Sequence, residues 1–190
     1  MKNKFFYCYE EVTTANDYHQ KCIIDFFGSK TAPKLDYTIE QMTEMAESVI
    51  AQRISVPGVQ PKLSISLEKE NKENSLTIVG ALGGNYIFKP PNNSFSEMPE
   101  NEHLTMLIAK AFGINTVPSS LIRLKSKELS YITKRIDRTQ EGNKIHMIDM
   151  FQITEAFDKY KGSMEKIGLA LTNYASNTLL DKLFYFIAIK

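Results

Sequence analysis

The sequence is poor in cysteine and has no long apolar run. Cys8 and Cys22 are the two cysteines among 190 residues, and two thiols without an export signal predict a reducing cytoplasm rather than a disulfide scaffold. The first twelve residues, MKNKFFYCYEEV, combine two lysines with a short aromatic run that glutamates interrupt, which is not the pattern of a signal peptide. No stretch reaches the length that spans a membrane.

Neither sign of charge is in large excess. The chain has 23 Lys and Arg against 22 Asp and Glu, for a net charge of +1, so nothing in the composition indicates a nucleic acid or a membrane as partner. A hydrophobic content of 43% and a charged content of 24% are ordinary for a globular protein. The length suffices for one full domain or two small lobes.

The order of predicted elements is that of an α+β fold. Residues 1–30 are aromatic-rich and predicted to be irregular. Thr38 and Gln41 form a capping-box pattern that starts a helix over 38–53. Strands are predicted at 62–68, 76–79, 86–89, 120–124 and 129–135. A helix over 99–112, with an apolar stripe of Leu104, Leu107, Ile108 and Ala111, precedes the last two strands. After a connector at 145–152 the remainder is predicted helical, so the expected core is a small antiparallel sheet crossed by one helix.

Two features before and within the predicted sheet suit phosphate binding. The segment 55–62, SVPGVQPK, puts a glycine directly before a strand, where backbone N–H groups can approach phosphate oxygens. It is neither a Walker A sequence nor the usual kinase glycine loop, and its prolines remove backbone donors. Taken alone, an ordinary Pro-Gly turn with a lysine is the favoured explanation of this segment. Lys89 ends a strand and is followed by a helix with Glu100 and Glu102. A strand lysine paired with a helix carboxylate can hold nucleotide phosphates, and Glu100, on the side of the apolar stripe, is the predicted partner.

Several spaced segments together resemble the HipA family of toxin kinases, in the short form without an extra N-terminal subdomain. They are RISVPGVQPKLSISL, YIFKPPNNSFSEMPENEHLTMLIAKAFGI, YITKRIDR and DKYKGSMEKI, and they cover most of residues 53–167. The resemblance implies a kinase-like N-lobe followed by the start of a helical C-lobe. It also implies an ATP-binding, cytoplasmic serine/threonine kinase of a toxin–antitoxin system.

The resemblance implies roles for particular residues. Residues 57–62 would cover the nucleotide phosphates, Lys89 would contact them, and 148–150 would form the hinge that holds adenine. Ser55 matches the serine that this family autophosphorylates, which ejects the loop and switches the kinase off. The family usually has an acidic residue at the position of Ile148 and a small residue or serine at that of Pro57. The nucleotide-binding candidates are Pro57, Gly58, Val59, Gln60, Pro61, Lys62, Lys89, Glu100, Ile148, Asp149 and Met150.

Cys8, His19 and Cys22 form a third constellation. His19 and Cys22 have the i, i+3 spacing of a metal-ligand pair, and Cys8 is a candidate third ligand. The resemblance implies that related short kinases carry a small Cys/His knuckle in this segment, with a further cysteine at the position of Phe5. A closed zinc site needs four ligands, so buried thiols and a packing histidine are the favoured explanation, and no metal is predicted. His103 and His146 show no partner pattern.

The catalytic loop, with its aspartate and metal-ligand asparagine, should follow the apolar helix over 177–190 in this family. The later metal-binding aspartate should follow that loop. Neither lies within the sequence, so we expect no competent kinase from these residues alone, and Mg²⁺ binding only with the missing C-terminal part.

The predicted domains are a Cys/His segment at 1–35, the nucleotide-binding N-lobe at 36–147, and a hinge with the start of the C-lobe at 148–190. By resemblance, the expected partner is a helix-turn-helix antitoxin or small regulatory subunit. The missing catalytic loop makes a complementing C-terminal kinase chain a further expected partner. Relatives modify aminoacyl-tRNA synthetases, but these residues identify no target. Two alternatives remain open: a non-catalytic module that engages an antitoxin-like or kinase partner, and a small zinc-binding adaptor.

Overall fold

The structure is a computed structural model that describes residues 4–11, 15–51, 62–70, 73–79, 83–92, 95, 97–139, 143–158 and 161–174. Five strands form one sheet in the order β2-β1-β3-β5-β4, and every neighbouring pair is antiparallel. The α+β prediction is confirmed. The strands are β1 Leu63–Glu70, β2 Glu73–Ile78, β3 Tyr86–Lys89, β4 Ser119–Arg123 and β5 Leu129–Lys134. The helices are α1 Gln20–Phe27, α2 Ile39–Ala51, α3 Met98–Ala111, α4 Met150–Ile153 and α5 Met164–Tyr174.

The capping box predicted for α2 is present. The Thr38 N–H donates to Gln41 Oε1 at 2.9 Å, and the Gln41 N–H donates to Thr38 Oγ1 at 3.5 Å. The Ile39 N–H donates to Ser126 Oγ at 3.0 Å, which docks the start of the helix on the β4–β5 turn. Three backbone donors that have no partner inside the helix are thus satisfied by neighbouring side chains.

Two expectations for the helices are wrong. Residues 20–27 form α1 rather than irregular chain, because Cys22, Ile23, Phe26 and Phe27 bury one face and Gly28 ends the helix at φ 64. The segment after residue 152 is not continuously helical, since residues 154–158 and 161–163 separate α4 from α5.

The main core lies on one face of the sheet. Leu63 pairs with Phe88, and Phe88 with Ile132, so the three side chains point to the same face, and each is at most 1% exposed. The N-terminal region covers this face with a set of aromatic and aliphatic side chains that belong to the same buried cluster: Phe6, Tyr18, Ile23, Phe26, Phe27, Leu35 and Met42.

Hydrogen bonds fasten the N-terminal region to the sheet. The Leu121 N–H of β4 donates to the Phe6 carbonyl oxygen at 3.1 Å, and the Tyr18 hydroxyl donates to the Leu121 carbonyl oxygen at 2.5 Å. At the opposite edge, Lys34 bridges to Ser75 in parallel orientation. The N-terminal region therefore covers the apolar face of the sheet and lines the edge of β2.

The chain divides into two compact units, Met1–Ile136 and Asp137–Lys190. The first holds the sheet and α1 to α3, and the second holds α4 and α5. The predicted domain boundaries at 35 and 147 stay predictions. Within the described residues, no helix is both long enough and apolar enough to cross a membrane.

Candidate functional site

Lys89 lies at the end of β3, on the face of the sheet opposite the main core. Its neighbour Phe88 points into that core, and consecutive strand residues alternate between faces. Lys89 pairs in register with Tyr131 of β5, and its ammonium lies 5.2 Å from the centre of the Tyr131 ring. Helix α3 packs against β4 and β5, which brings its side chains to the same region as the lysine.

Lys89 forms an ion pair with Glu102 of α3. The two side chains are 17% and 27% exposed, so the pair is largely removed from water and its attraction is weakly screened. The prediction that Glu100 is the partner of Lys89 is wrong. Glu100 Oε2 is buried and has no hydrogen-bond partner among the described residues.

The orientation of α3 explains this correction. The helix buries Pro99 and His103, whereas Leu104 and Ile108 of the predicted apolar stripe are 37% and 49% exposed. Successive helix residues are separated by about 100°. Glu100 and Glu102 therefore flank the line from Pro99 to His103 on opposite sides, and the Glu102 side faces Lys89.

His103 is a buried residue of this region that its sequence context did not reveal. Its side chain is fully buried, and Nδ1 lies 3.4 Å from Ser119 Oγ of β4. Burial lowers the pKa of His103 from 6.5 to about 4, because desolvation disfavours the charged imidazolium. A neutral imidazole therefore follows Glu102 in α3. The spacing of the apolar residues in the sequence did not predict that this histidine is buried.

A glycine turn fixes the start of β3. Gly84 has φ +77, and a Cβ built there would lie 2.4 Å from the Ile65 carbonyl oxygen, so only glycine fits. The Asn85 N–H donates to the same carbonyl at 3.1 Å. Arg135 Nη1 donates to the Gly83 carbonyl oxygen at 3.1 Å and to Ser64 Oγ at 3.0 Å. These contacts join the turn to β1.

The predicted phosphate loop is described only at its last residue. Ser55 and residues 57–61 lie outside the described residues. Lys62 is half-buried directly before β1.

The predicted hinge residues lie in the second unit. The Asp149 side chain accepts a hydrogen bond from the Gln152 N–H at 2.9 Å and caps α4. Met150 is the first residue of that helix, and Ile148 is 62% exposed. A groove of about 290 Å³ is lined by Asp149 and Met150 together with Lys161 of the α4–α5 connection.

Cys8, His19 and Cys22 are brought together by the fold. His19 Nδ1 lies 3.3 Å from Cys8 Sγ and 3.8 Å from Cys22 Sγ, and the three atoms all lie within 4.8 Å of one another. Cys22 is buried, Cys8 is half-buried and neither is in a disulfide. Burial, followed by the neighbouring Cys8 thiol, raises the pKa of Cys22 to about 11.

The comparison with protein families decides the family. The model of the HipA-like C-terminal domain matches residues 54–190, which is more than half of the chain. The chain belongs to the HipA-like C-terminal domain family.

Two curated relatives support this HipA-like assignment. A Haemophilus influenzae protein named "Putative kinase" is 30% identical over 135 residues, which cover 69% of this chain and 37% of the relative. A Sinorhizobium fredii protein named "Putative kinase Y4dM" is 34% identical over 136 residues, which cover 64% of this chain and 33% of the relative. The matched part is thus about a third of the length of either relative.

One of the two clusters of polar residues lies inside the matched range and the other precedes it. Lys89, Glu102 and the hinge candidates at 148–150 fall inside residues 54–190. The Cys8, His19 and Cys22 cluster precedes that range. The Lys89–Glu102 pair is therefore part of the HipA-like domain, and the cysteine–histidine cluster belongs to the region that covers its sheet.

Proposed function

We propose that this chain is the nucleotide-binding portion of a HipA-like serine/threonine kinase. The observation that carries the proposal is the ion pair between Lys89 of β3 and Glu102 of α3. In protein kinases a lysine on the third strand is held by a helix glutamate, and this pair positions the ATP phosphates.

The chemistry of the pair suits this role. Glu102 compensates the charge of Lys89 and fixes the direction of its flexible side chain, while Tyr131 packs beside the ammonium. An ammonium positioned in this way can attract the phosphate oxygens as a point charge. Residues 57–62 would supply backbone donors to the same phosphates, and Ile148, Asp149 and Met150 would hold adenine. A phosphate on Ser55 would add negative charge close to the bound nucleotide and oppose its binding.

Phosphoryl transfer needs more than this portion. An aspartate must orient the acceptor hydroxyl, and further ligands must hold Mg²⁺ between the phosphates. We propose that a catalytic loop and a metal-binding aspartate beyond these 190 residues supply both, and that this chain contributes ATP positioning. A cytoplasmic toxin–antitoxin role, with a helix-turn-helix antitoxin or small regulatory subunit as restraint, follows from the family resemblance.

Calorimetric titration of ATP into the 190-residue protein tests the proposal. Lys89→Ala should weaken ATP binding by about tenfold or more, the equivalent of one lost charge-assisted contact. Lys134→Ala is the matched control, because Lys134 also ends a strand of this sheet but donates to the Asp25 carbonyl oxygen on the other side. Equal ATP affinity of the wild type and Lys89→Ala would contradict the proposed role of the lysine.

A second candidate function is a non-catalytic module that binds a protein partner. The observation in its favour is the apolar surface at the C-terminal end of α3, where Ile108 and Phe112 are 49% and 79% exposed. This candidate predicts that neither the wild type nor Lys89→Ala binds ATP. The same titration therefore separates the two functions.

A further inference from the structure

Two thiols and one imidazole converge at the junction between the N-terminal segment and α1. We propose that Cys8, His19 and Cys22 bind one Zn²⁺ ion through three protein ligands, with the fourth position open to solvent. This site is independent of the nucleotide chemistry proposed above, because it lies in the region that precedes the HipA-like match.

The distances suit a tetrahedral zinc ion. Zinc lies about 2.3 Å from sulfur and about 2.0–2.1 Å from nitrogen in proteins, so tetrahedral angles separate the two ligand atoms by about 3.6 Å. The measured separations of His19 Nδ1 from the two sulfurs, 3.3 and 3.8 Å, lie on either side of that value. All three ligand atoms lie within 4.8 Å of one another, so small side-chain movements complete the geometry.

The surroundings of His19 orient its ring for metal binding. Nδ1 points at both sulfurs, and the other ring nitrogen, Nε2, lies 3.9 Å from the Glu10 carboxylate, a separation longer than a hydrogen bond. A histidine ligand characteristically directs its second nitrogen to a carboxylate, and a small side-chain movement would bring Glu10 into that position. The Phe5 ring packs on the imidazole with ring centres 3.6 Å apart and limits its rotation.

The backbone holds the cysteines in place by separate means. A tight turn presents Cys8: the Tyr9 N–H donates to the Phe5 carbonyl oxygen at 3.0 Å, and Tyr9 adopts the left-handed region at φ 63. Cys22 lies in the first turn of α1, three residues after His19. The three ligands are therefore organised by local structure without an ion.

The position of Phe5 explains why the set has three protein ligands. Positions 5 and 8 are spaced like the two cysteines of a Cys-x-x-Cys pair, which many zinc sites use for two ligands. Position 5 is a phenylalanine, however, and its ring is 1% exposed. Among the described residues, no further Cys, His, Asp or Glu joins the cluster. A water molecule would take the fourth position, as in sites with three protein ligands.

The ligand types favour zinc, and zinc binding needs no other reactant. Thiolate and imidazole ligands favour Zn²⁺ over Mg²⁺ or Ca²⁺, which prefer oxygen. Binding deprotonates both thiols, so one Zn²⁺ enters and two protons leave to solvent. Two thiolates and one neutral imidazole then compensate the +2 charge of the ion.

Zinc titration of the reduced, chelator-treated protein tests the site. We expect one equivalent of Zn²⁺ to bind in competition with a chromophoric chelator. Cys8→Ser and His19→Asn should each weaken binding by about tenfold or more, since each removes a direct ligand. His146→Asn is the matched control, because His146 lies in the second unit and is exposed.

A second measurement keeps the test valid where a variant folds poorly. The chain has two cysteines, so alkylation of the native wild-type protein followed by mass spectrometry reads both ligands directly. Zn²⁺ should protect both thiols, and Mg²⁺ should protect neither. Failure to retain zinc, or equal zinc affinity of the wild type, Cys8→Ser and His19→Asn, would overturn the proposal.

Discussion

Lys89 of β3 and Glu102 of α3 form an ion pair, although they lie 13 positions apart in the sequence. Their side chains are 17% and 27% exposed, and each is the charge that compensates the other in a region that α3 and the sheet shield from water. Removing one partner leaves a partly buried charge without its counterion, and the cost of that charge exceeds the value of an ordinary surface ion pair.

Glu102→Gln should therefore lower the free energy of unfolding by about 1–3 kcal/mol. Urea denaturation measures the change. Glu100→Gln is the matched control on the same helix, and its effect should be smaller because Glu100 does not pair with Lys89. A larger loss in Glu100→Gln than in Glu102→Gln would contradict the assigned pairing.

Gly84→Ala should be strongly destabilising, by about 3 kcal/mol or more, since its Cβ would lie 2.4 Å from the Ile65 carbonyl oxygen. Gly113→Ala provides the comparison, because Gly113 has nearly the same φ, +79, but nothing within 4 Å of the added Cβ. Its cost should be the conformational strain alone, about 1 kcal/mol. Equal losses in the two variants, measured by urea denaturation, would show that strain rather than the backbone contact decides the effect.

His103 should make the protein less stable as the pH falls. Its folded-state pKa is about 4 against 6.5 in the unfolded chain, so the unfolded state binds more protons between these values. The free energy of unfolding should decrease from pH 6.5 to pH 4 by at most about 3 kcal/mol.

Urea denaturation over this pH range measures the effect of His103, and the comparison with His103→Gln separates it from the carboxylates that titrate in the same range. The variant should lose less stability across the range than the wild type. Parallel pH profiles would exclude His103 as the cause.

Tyr18→Phe should lower the free energy of unfolding by about 1 kcal/mol, the value of one buried hydrogen bond. The loss stays moderate because Ser120 Oγ lies 2.9 Å from the Leu121 carbonyl oxygen and 3.0 Å from the Phe6 carbonyl oxygen, so its single proton can be donated to Leu121 when the Tyr18 hydroxyl is removed. Tyr9→Phe, at a position that is 41% exposed, should change stability by less than about 0.5 kcal/mol. Thermal or urea denaturation compares the two, and equal effects would be inconsistent with the bond to Leu121.

The sheet was predictable because its strands carry strong local signals. Tyr86–Lys89 is bounded by a glycine turn and two prolines, and the capping box at Thr38 and Gln41 marks the start of α2 within one residue. These signals depend on backbone chemistry that acts over three or four residues. The helix from Gln20 to Phe27 was missed because its apolar residues resemble those of an aromatic-rich loop.

The partner of Lys89 could not be predicted because it depends on how α3 rotates about its axis. Glu100 and Glu102 lie on opposite sides of the buried Pro99–His103 line, so the sequence pattern is nearly symmetric about it. The packing of His103 against Ser119 sets the rotation, and that contact joins two elements distant in the chain. Likewise, the sequence made Cys8 a candidate third ligand beside His19 and Cys22. The contacts of Phe5 and Glu10 with the His19 ring were visible only in the structure.

The packing of the N-terminal region on the sheet limits where a shorter fragment of this protein can begin. The family match begins at residue 54, yet Phe26, Leu35 and Met42 bury the same apolar cluster as Phe88 and Ile132. A fragment that starts at the family boundary would expose this face to water and invite self-association. The smallest unit that folds on its own should therefore include the N-terminal residues that precede the matched range.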